Sequence, residues 1–493
     1  MKASRVDYVP YEKDDDPVAQ APHSLRAWLK QVDEVGELRV INGVDWEESI
    51  GRISEMLHHT DDSPAVLFDE IPGYKAGNRV LVNSLTARAR LAVSLDLPAD
   101  TGTFELMDAW ERMVDEVEPQ PMPEVDAGPI LENVLEGDEI DLFKFPTPLW
   151  HPEDGGRYIG TGCAVATKDP DSDWVNFGTY RVMIHDEKRA GLYMSPSKHG
   201  MAHRNTYFER SEPMPVVVLA GLSPLQFVAS ALEIPHGVNE MEWVGGVVGS
   251  PVEMIRGRHT GLPIPAHAEI AIEGFLHPQN VELEGPFGEW TGYYASASRD
   301  EPVLDVAAIY HRNDPILLGC PPEKPPYEAQ RFQQYLRSAN LRRQLRGAGI
   351  PNVVAAWTHA AGGCRLFNVV AIEQAHAGHA RQTLHAAASM SQAAYLGRIV
   401  IVVDEDIDVT DLDEVIWAVT TRMDPARDVD IIERMLTGAL DPAIEPGKKV
   451  HNSRLLIDAT RPWEWKDRFP PPIGPSPEIK RQTREDWGWI LKG

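Results

Sequence analysis

The stretch EGPFGEWTGYY, residues 284–294, sets two carboxylates, Glu284 and Glu289, five positions apart around a Gly-Pro-Phe-Gly turn. Gly285-Pro286 and Gly288 argue against a continuous helix. In a straight strand, residues five apart face opposite sides. Only a folded loop brings both acids into one pocket. Two acids held together repel, so one pKa rises and the other falls or needs a cation. A carboxylic acid kept protonated near neutral pH in this way can act as a proton donor. On spacing alone, the plainer reading is a surface turn with both acids solvated.

A second group lies in DWVNFGTYRVMIHDEKRAGLYMSPSKHGMAHR, residues 173–204. Asn176, Arg181 and His199 fall in and after one predicted strand. Asn and His with a nearby acid suit Mn²⁺ or Mg²⁺ bridging to a phosphate better than structural zinc. NEMEWVGG offers Glu240 and Glu242 as that acid. The alternative is that His199 satisfies a core hydrogen bond. Other spacings lead nowhere. Ser195-Pro-Ser-Lys198 has no S-D-N or K-T-G companion. His199 and His203 lack the H-E-x-x-H pattern. His58-His59 ends a helix and is expected to be exposed. There is no G-x-G-x-x-G and no P-loop.

The elements that must carry these residues are readable in part. Ser24 is a predicted cap for a helix bearing Leu25, Trp28, Leu29 and Val32. A strand is predicted at 38–41, and Asp45 with Glu48 suggests a capping box for the next helix. AVLFD (65–69) and RVLVNSL (79–85) read as strands, giving a small α/β unit that ends near 117. EPQPMPEVDAGP (118–129) reads as a linker. From about 140 to 320, short β-like runs at 162–167, 175–184, 215–221, 268–276 and 303–311 suggest a barrel or sandwich. The chain then turns α/β again, with a helix predicted over 377–396, a strand at 398–404 and a helix capped by Thr410. A proline-rich arm and a short helix close the tail.

Composition bounds the function. The 493 residues suggest roughly two to four domains. A net charge of −28 argues against broad nucleic-acid binding. No run approaches the roughly eighteen apolar residues of a membrane span. The opening MKASRVDYVPYEKDDDP lacks the apolar region of a secretory signal. Three widely spaced cysteines argue against a disulfide framework and suit a reducing cytoplasm.

Several ordered segments resemble the UbiD family of prenylated-flavin-dependent (de)carboxylases over nearly the whole chain. They are FPTPLWHPEDGGRYIGTG (145–162), VNFGTYR (175–181), IPAHAEIAIEG (264–274), EGPFGEWTGYY and SRLLIDAT (453–460). The resemblance implies an α+β protein with four parts. These are an N-terminal α/β unit (1–125), a central flavin-binding split β-barrel (126–325), a C-terminal α/β oligomerisation domain (326–460), and an arm with a final helix (461–493). A homo-oligomer, dimer or hexamer, is expected, with the last helix available to swap onto a neighbour.

The resemblance also implies roles. Asn176 and His199, twenty-three positions apart, match two metal ligands. The third is an acid before the G-G-x-x-G-x-P-V-E run, Glu240 with Glu242 as the alternative. Mn²⁺ or Mg²⁺, helped by a potassium-type ion, would tie the phosphate of prenylated FMN to the protein. Phe177, Gly178, Thr179, Tyr180, Lys198 and Arg454 are expected to line that cofactor. Arg181, Glu284 and Glu289 match the family's Arg-Glu-Glu network, with Glu289 as proton donor. The expected reaction is reversible, non-oxidative loss of CO₂ from an aromatic or heteroaromatic acid. A cinnamate- or ferulate-type acrylic acid is the alternative substrate, and a non-catalytic flavin-binding or assembly subunit the alternative of another class. A flavin prenyltransferase would supply the cofactor. Lys198 stands where cinnamate-type members have Gln, which favours a substrate with a second polar or anionic group.

Overall fold

The computed structural model describes residues 8–9, 21, 23–196, 198–232, 237–295, 297–438, 440–445 and 451–491. Four sheets and the helices packed on them form the expected α+β architecture. The N-terminal sheet runs Tyr8–Val9, Leu38–Asn42, Ala65–Asp69, Arg79–Val82, Ile316–Leu318. Its last strand arrives from far along the chain and pairs parallel to Arg79–Val82. Helix Leu25–Glu34 lays Leu25, Trp28, Leu29 and Val32 into this core, capped by Ser24 as predicted. Two caps differ from expectation. Asp45 accepts from the N–H groups of Glu48 and Ser49, but Glu48 pairs with Arg52 rather than completing a box. Asp411, not Thr410, caps helix Leu412–Arg422, because Thr410 bonds back to Asp408.

The central sheet has nine strands, all pairing antiparallel. Its order is Tyr158–Gly160, Arg181–Ile184, Arg189–Tyr193, Arg299–His311, Ile270–Glu284, Met214–Ala220, Cys163–Lys168, Val175–Gly178. Asn133–Glu136 pairs on the side with Arg299–His311. The run 175–184, predicted as one strand, is two. Thr179-Tyr180 joins strands six places apart in the order. A flat sheet would separate them by about 29 Å at ~4.8 Å per strand. Three peptide links reach only about 11 Å. The sheet therefore has to curl into a half-barrel, and that curl brings Asn176 toward Arg181.

Its two longest strands, Ile270–Glu284 and Arg299–His311, form one bulged hairpin. Bulges bend and twist such a pair. Glu284 is the last residue of the first strand and pairs with Arg299, so EGPFGEWTGYY begins in this strand and continues into the hairpin loop.

The C-terminal sheet runs Val353–Thr358, Phe367–Ile372, Ile399–Asp404, His451–Ala459, Val429–Leu436, with helices Glu328–Gly347 and His379–Ser389 against it. The proline-rich arm leads to helix Pro477–Trp487. All three cysteines are buried and unpaired, and burial pushes the Cys163 and Cys364 thiols up to about 12. Among the described residues, no helix is long and apolar enough to cross a membrane.

Candidate active site

Arg181 opens its strand opposite Tyr193. Its guanidinium grips Glu284 with both arms of a fork, Nε to Oε1 at 2.8 Å and Nη2 to Oε2 at 2.7 Å. Its remaining arm, Nη1, reaches Glu289 Oε1 at 2.5 Å. The two acids that five-residue spacing would splay apart thus meet on one cation. Tyr158 donates to Glu284 Oε1 at 2.9 Å and packs on Phe287, ring centroids 4.0 Å apart. The Tyr193 ring lies between two guanidinium groups, Arg181 at 4.3 Å and Arg299 at 4.1 Å. Such contacts stabilise cations away from water.

Glu284 is fully buried, and Arg181 and Glu289 are nearly so. Burial would lower the Arg181 pKa, but the charges of Glu289 and Glu284 more than reverse this, so the guanidinium stays charged. Burial raises the Glu289 pKa above the usual carboxylate range. Arg181 opposes that rise, and the Glu284 charge adds to it. This is the asymmetric acid pair that a proton donor needs.

The loop is clamped from two sides. Asp154 accepts from the Gly288 N–H at 3.2 Å, and Gly155 donates to the Pro286 carbonyl at 2.8 Å. A Cβ on Gly155 would sit 2.0 Å from the Gly285 oxygen, so only glycine fits there. From the C-terminal side, Gln330 Nε2 donates to the Trp290 carbonyl at 2.7 Å.

The second group also assembles. Asn176 is buried on strand Val175–Gly178, with its amide 3.0 Å from His199 Nδ1. Turned one way, the amide points oxygen at the imidazole. Turned the other, that oxygen accepts from the Phe177 and Gly178 N–H groups. Glu240 starts helix Glu240–Val248, and its Oε2 accepts from the Phe177 N–H at 2.9 Å. Burial pushes its pKa up to about 7. Glu242 is less buried, and no hydrogen bond joins its carboxylate to this strand. Of the two candidate acids, Glu240 is therefore the one beside Asn176.

Around them, Tyr180 Oη accepts from the Gly200 N–H at 3.0 Å, and Thr179 Oγ1 is buried with no hydrogen-bond partner. Among the described residues, no group of three or more His, Cys, Asp or Glu side chains forms a self-contained metal centre. One amide, one imidazole and one carboxylate beside an orphaned hydroxyl fit an ion whose shell an anionic ligand completes.

Lys198 and Arg454 are the two other charged residues expected at the cofactor. Lys198 is exposed at the start of helix His199–Glu209. Arg454 is buried on the C-terminal sheet, where it donates to the carbonyls of Ala388, Ala393, Ala394 and Leu436. Tyr158, Tyr193 and Arg299 were not singled out in the sequence. Tyr158 stands inside a quoted motif, and Tyr193 faces Arg181 by strand register alone.

Three models of the 3-octaprenyl-4-hydroxybenzoate carboxy-lyase match in order. They are the N-terminal domain at 29–110, the Rift-related domain at 123–325 and the C-terminal domain at 330–459. The chain belongs to the UbiD family of carboxy-lyases. It is 31% identical over 437 residues to a pyrrole-2-carboxylic acid decarboxylase of Pseudomonas aeruginosa, covering 85% of this chain and 87% of that one. It is 30% identical over 453 residues to a phenolic acid decarboxylase of Bacillus subtilis, covering 90% and 93%. Among solved structures, it superposes on the vanillic acid decarboxylase of Sedimentibacter hydroxybenzoicus with a TM-score of 0.83 at 28% identity, covering 96% and 99%. It also matches HmfF of Pelotomaculum thermopropionicum, a UbiD-class enzyme solved with FMN, with a TM-score of 0.82 at 29% identity, covering 94% and 100%.

Proposed function

We propose that this chain is a reversible, non-oxidative decarboxylase of an aromatic or heteroaromatic carboxylic acid, working on prenylated FMN. The observation that carries this reading is the single guanidinium of Arg181 shared by two buried carboxylates, Glu284 and Glu289. Similarity to decarboxylases of pyrrole-2-carboxylate and phenolic acids supports the substrate class. Relatives solved with FMN and prenylated FMN support the cofactor.

Losing CO₂ from an sp² carbon leaves an electron pair with nowhere to go, and the bound flavin supplies the sink. The protein's own groups do the rest. Asn176, His199 and Glu240 would hold a divalent ion, Mn²⁺ or Mg²⁺, that helps bind the anionic cofactor, and the unpartnered Thr179 hydroxyl would be available to the same group. Arg181 attracts the substrate carboxylate by its charge. Glu289 gives its proton to the carbon that lost CO₂. Glu284, fixed by Tyr158 and two arms of Arg181, keeps the guanidinium in place and disfavours a second negative charge on Glu289. In the reverse direction, Glu289 takes that proton back.

Glu289→Gln tests the donor. With the cofactor-loaded variant, turnover should fall by about 10²–10⁴-fold while flavin absorbance is retained. Normal turnover would reject the assignment. Lys198→Gln tests the substrate side. It should shift preference among aromatic acids without changing flavin content, and an unaltered preference would remove Lys198 from substrate recognition.

A further inference from the structure

Helix Ser49–His58 ends against the crossover, residues 319–327, which leaves the central region and enters helix Glu328–Gly347. His58, expected to be exposed, is fully buried there, whereas its neighbour His59 is exposed. His58 Nδ1 lies 2.9 Å from Glu323 Oε2, and its Nε2 lies 3.6 Å from Glu328 Oε2. Both carboxylates are buried as well. Glu328 Oε1 accepts from the Ser84 hydroxyl at 2.5 Å and the Leu85 N–H at 2.9 Å. His59 Nε2 meets the Lys324 carbonyl at 2.8 Å, and Arg331 donates to the His58 carbonyl at 3.3 Å. The end of this helix thus holds Glu323 and Lys324 of the crossover and the first turn of the helix that follows.

The far side of the same crossover carries the acid loop. Gln330 holds the Trp290 carbonyl. Gly292 takes a φ of +82°, and a Cβ there would come within 2.9 Å of Pro325 and 3.0 Å of Lys324. Tyr327 feels the Glu289 charge. The crossover therefore touches both the cluster around His58, through Glu323, and the loop that carries Glu289, through Lys324 and Pro325.

Charge supplies the reason for a histidine here. Two buried anions need a cation, and losing one partner of such a set strands the others. Glu328 also gains from the start of its helix. Other charged or titratable groups around His58 and its two acids include Arg90 with Glu37 and Asp62, Arg331 with Asp61, His151 with Asp154 and Glu55, and the Cys320 thiol. Burial works against a charged His58, but Glu323 and Glu328 outweigh it and raise the pKa to about 9.

We propose that His58, as the cation shared by Glu323 and Glu328, fixes the position of the loop 288–292 through the crossover and so acts as a positioning residue for Glu289. The proposal rests on the reading of Glu289 as proton donor.

The experiment compares cofactor-loaded wild type, His58→Gln, Glu323→Gln and Glu289→Gln by hydrogen exchange and steady-state kinetics. In His58→Gln, amides within 284–294 should exchange about tenfold faster while those of strand Met214–Ala220 are unchanged. Its kcat should fall about tenfold to a hundredfold, with KM within about twofold and flavin content intact. Beyond the fall set by Glu289, wild-type kcat should show a second decline as pH rises through about 9. His58→Gln should lack that decline. Adding Glu323→Gln and Glu328→Gln to His58→Gln, which leaves the cluster neutral, should restore part of the loop's protection. Unchanged exchange at 284–294, or equal loss of protection across the whole central sheet, would overturn the proposal. If His58→Gln does not fold, Glu323→Gln alone should loosen the same loop to a smaller extent, and no loosening there would overturn the proposal equally. Full turnover by Glu289→Gln would instead overturn the donor reading, because loop exchange is measured independently of chemistry.

Discussion

Two buried clusters on one curled sheet treat charge in opposite ways. Around Arg181, the cation and both acids are matched within the protein, with Tyr158 bonded to Glu284 and the Tyr193 ring against the guanidinium. Around Asn176, one buried carboxylate has backbone N–H groups but no cation beside it, and a buried hydroxyl has no partner. The first cluster is finished without a ligand. The second is built to be finished by one. Chemistry that needs a proton delivered at a fixed point gains from the first kind of site, and exchangeable binding needs the second.

The contrast can be broken most severely at Arg181. Arg181→Ala leaves Glu284 and Glu289 buried without the guanidinium that both contact. We expect a loss of about 3–5 kcal/mol in urea denaturation together with loss of turnover. Arg181→Lys keeps the charge but not the fork, and should recover stability more than rate.

At the other cluster, the sign should differ. Glu240→Gln removes a buried acid that has little to pair with in the ligand-free protein. Metal and flavin content should fall together, while the melting temperature of ligand-free protein stays the same or rises. A fall in melting temperature with cofactor content intact would mean that the carboxylate is structural.

Titration sharpens the comparison further. Burial raises the folded-state pKa of Glu289 above the carboxylate value of 4.5. The folded state therefore holds this proton more tightly than the unfolded chain does. Its contribution to stability is fully present below about pH 4.5 and is lost as pH rises through the raised value. Measured as the difference between wild type and Glu289→Gln, the gap in unfolding free energy should move against the wild type over that window. Turnover should fall along the same limb, because the proton being lost is the one that is donated.

The smallest effect is expected at Tyr158. Tyr158→Phe removes one hydrogen bond to a carboxylate that keeps both arms of Arg181. About 1 kcal/mol of stability and less than tenfold in rate should be lost.

Local signals in the sequence led to much of this site. Glu284, Glu289 and Asn176 lie in short motifs whose glycines and strand runs constrain the backbone, and the structure gathers them with Arg181 and His199. Glu240 was distinguished from Glu242 by geometry, because the choice depends on which helix-start carboxylate reaches the Phe177 N–H. His58 was misread as exposed because its partners, Glu323 and Glu328, are 265 and 270 positions away, and helix-end polarity carries no trace of them. The break at Thr179-Tyr180 was missed because VNFGTYRVMI has strand propensity throughout. The corner exists because the sheet closes on itself, a property of the whole rather than of those residues. The cap expected at Thr410 falls instead to Asp411, one position on, because Thr410 bonds back to Asp408.

The three sequestered thiols make the molecule nearly inert to maleimides at neutral pH, since alkylation needs an accessible thiolate. A single cysteine introduced at exposed Tyr293 would therefore be the one site a spin label or dye could take. Wild-type cysteines could stay where they are, and the hairpin tip would report its own movement as substrate arrives.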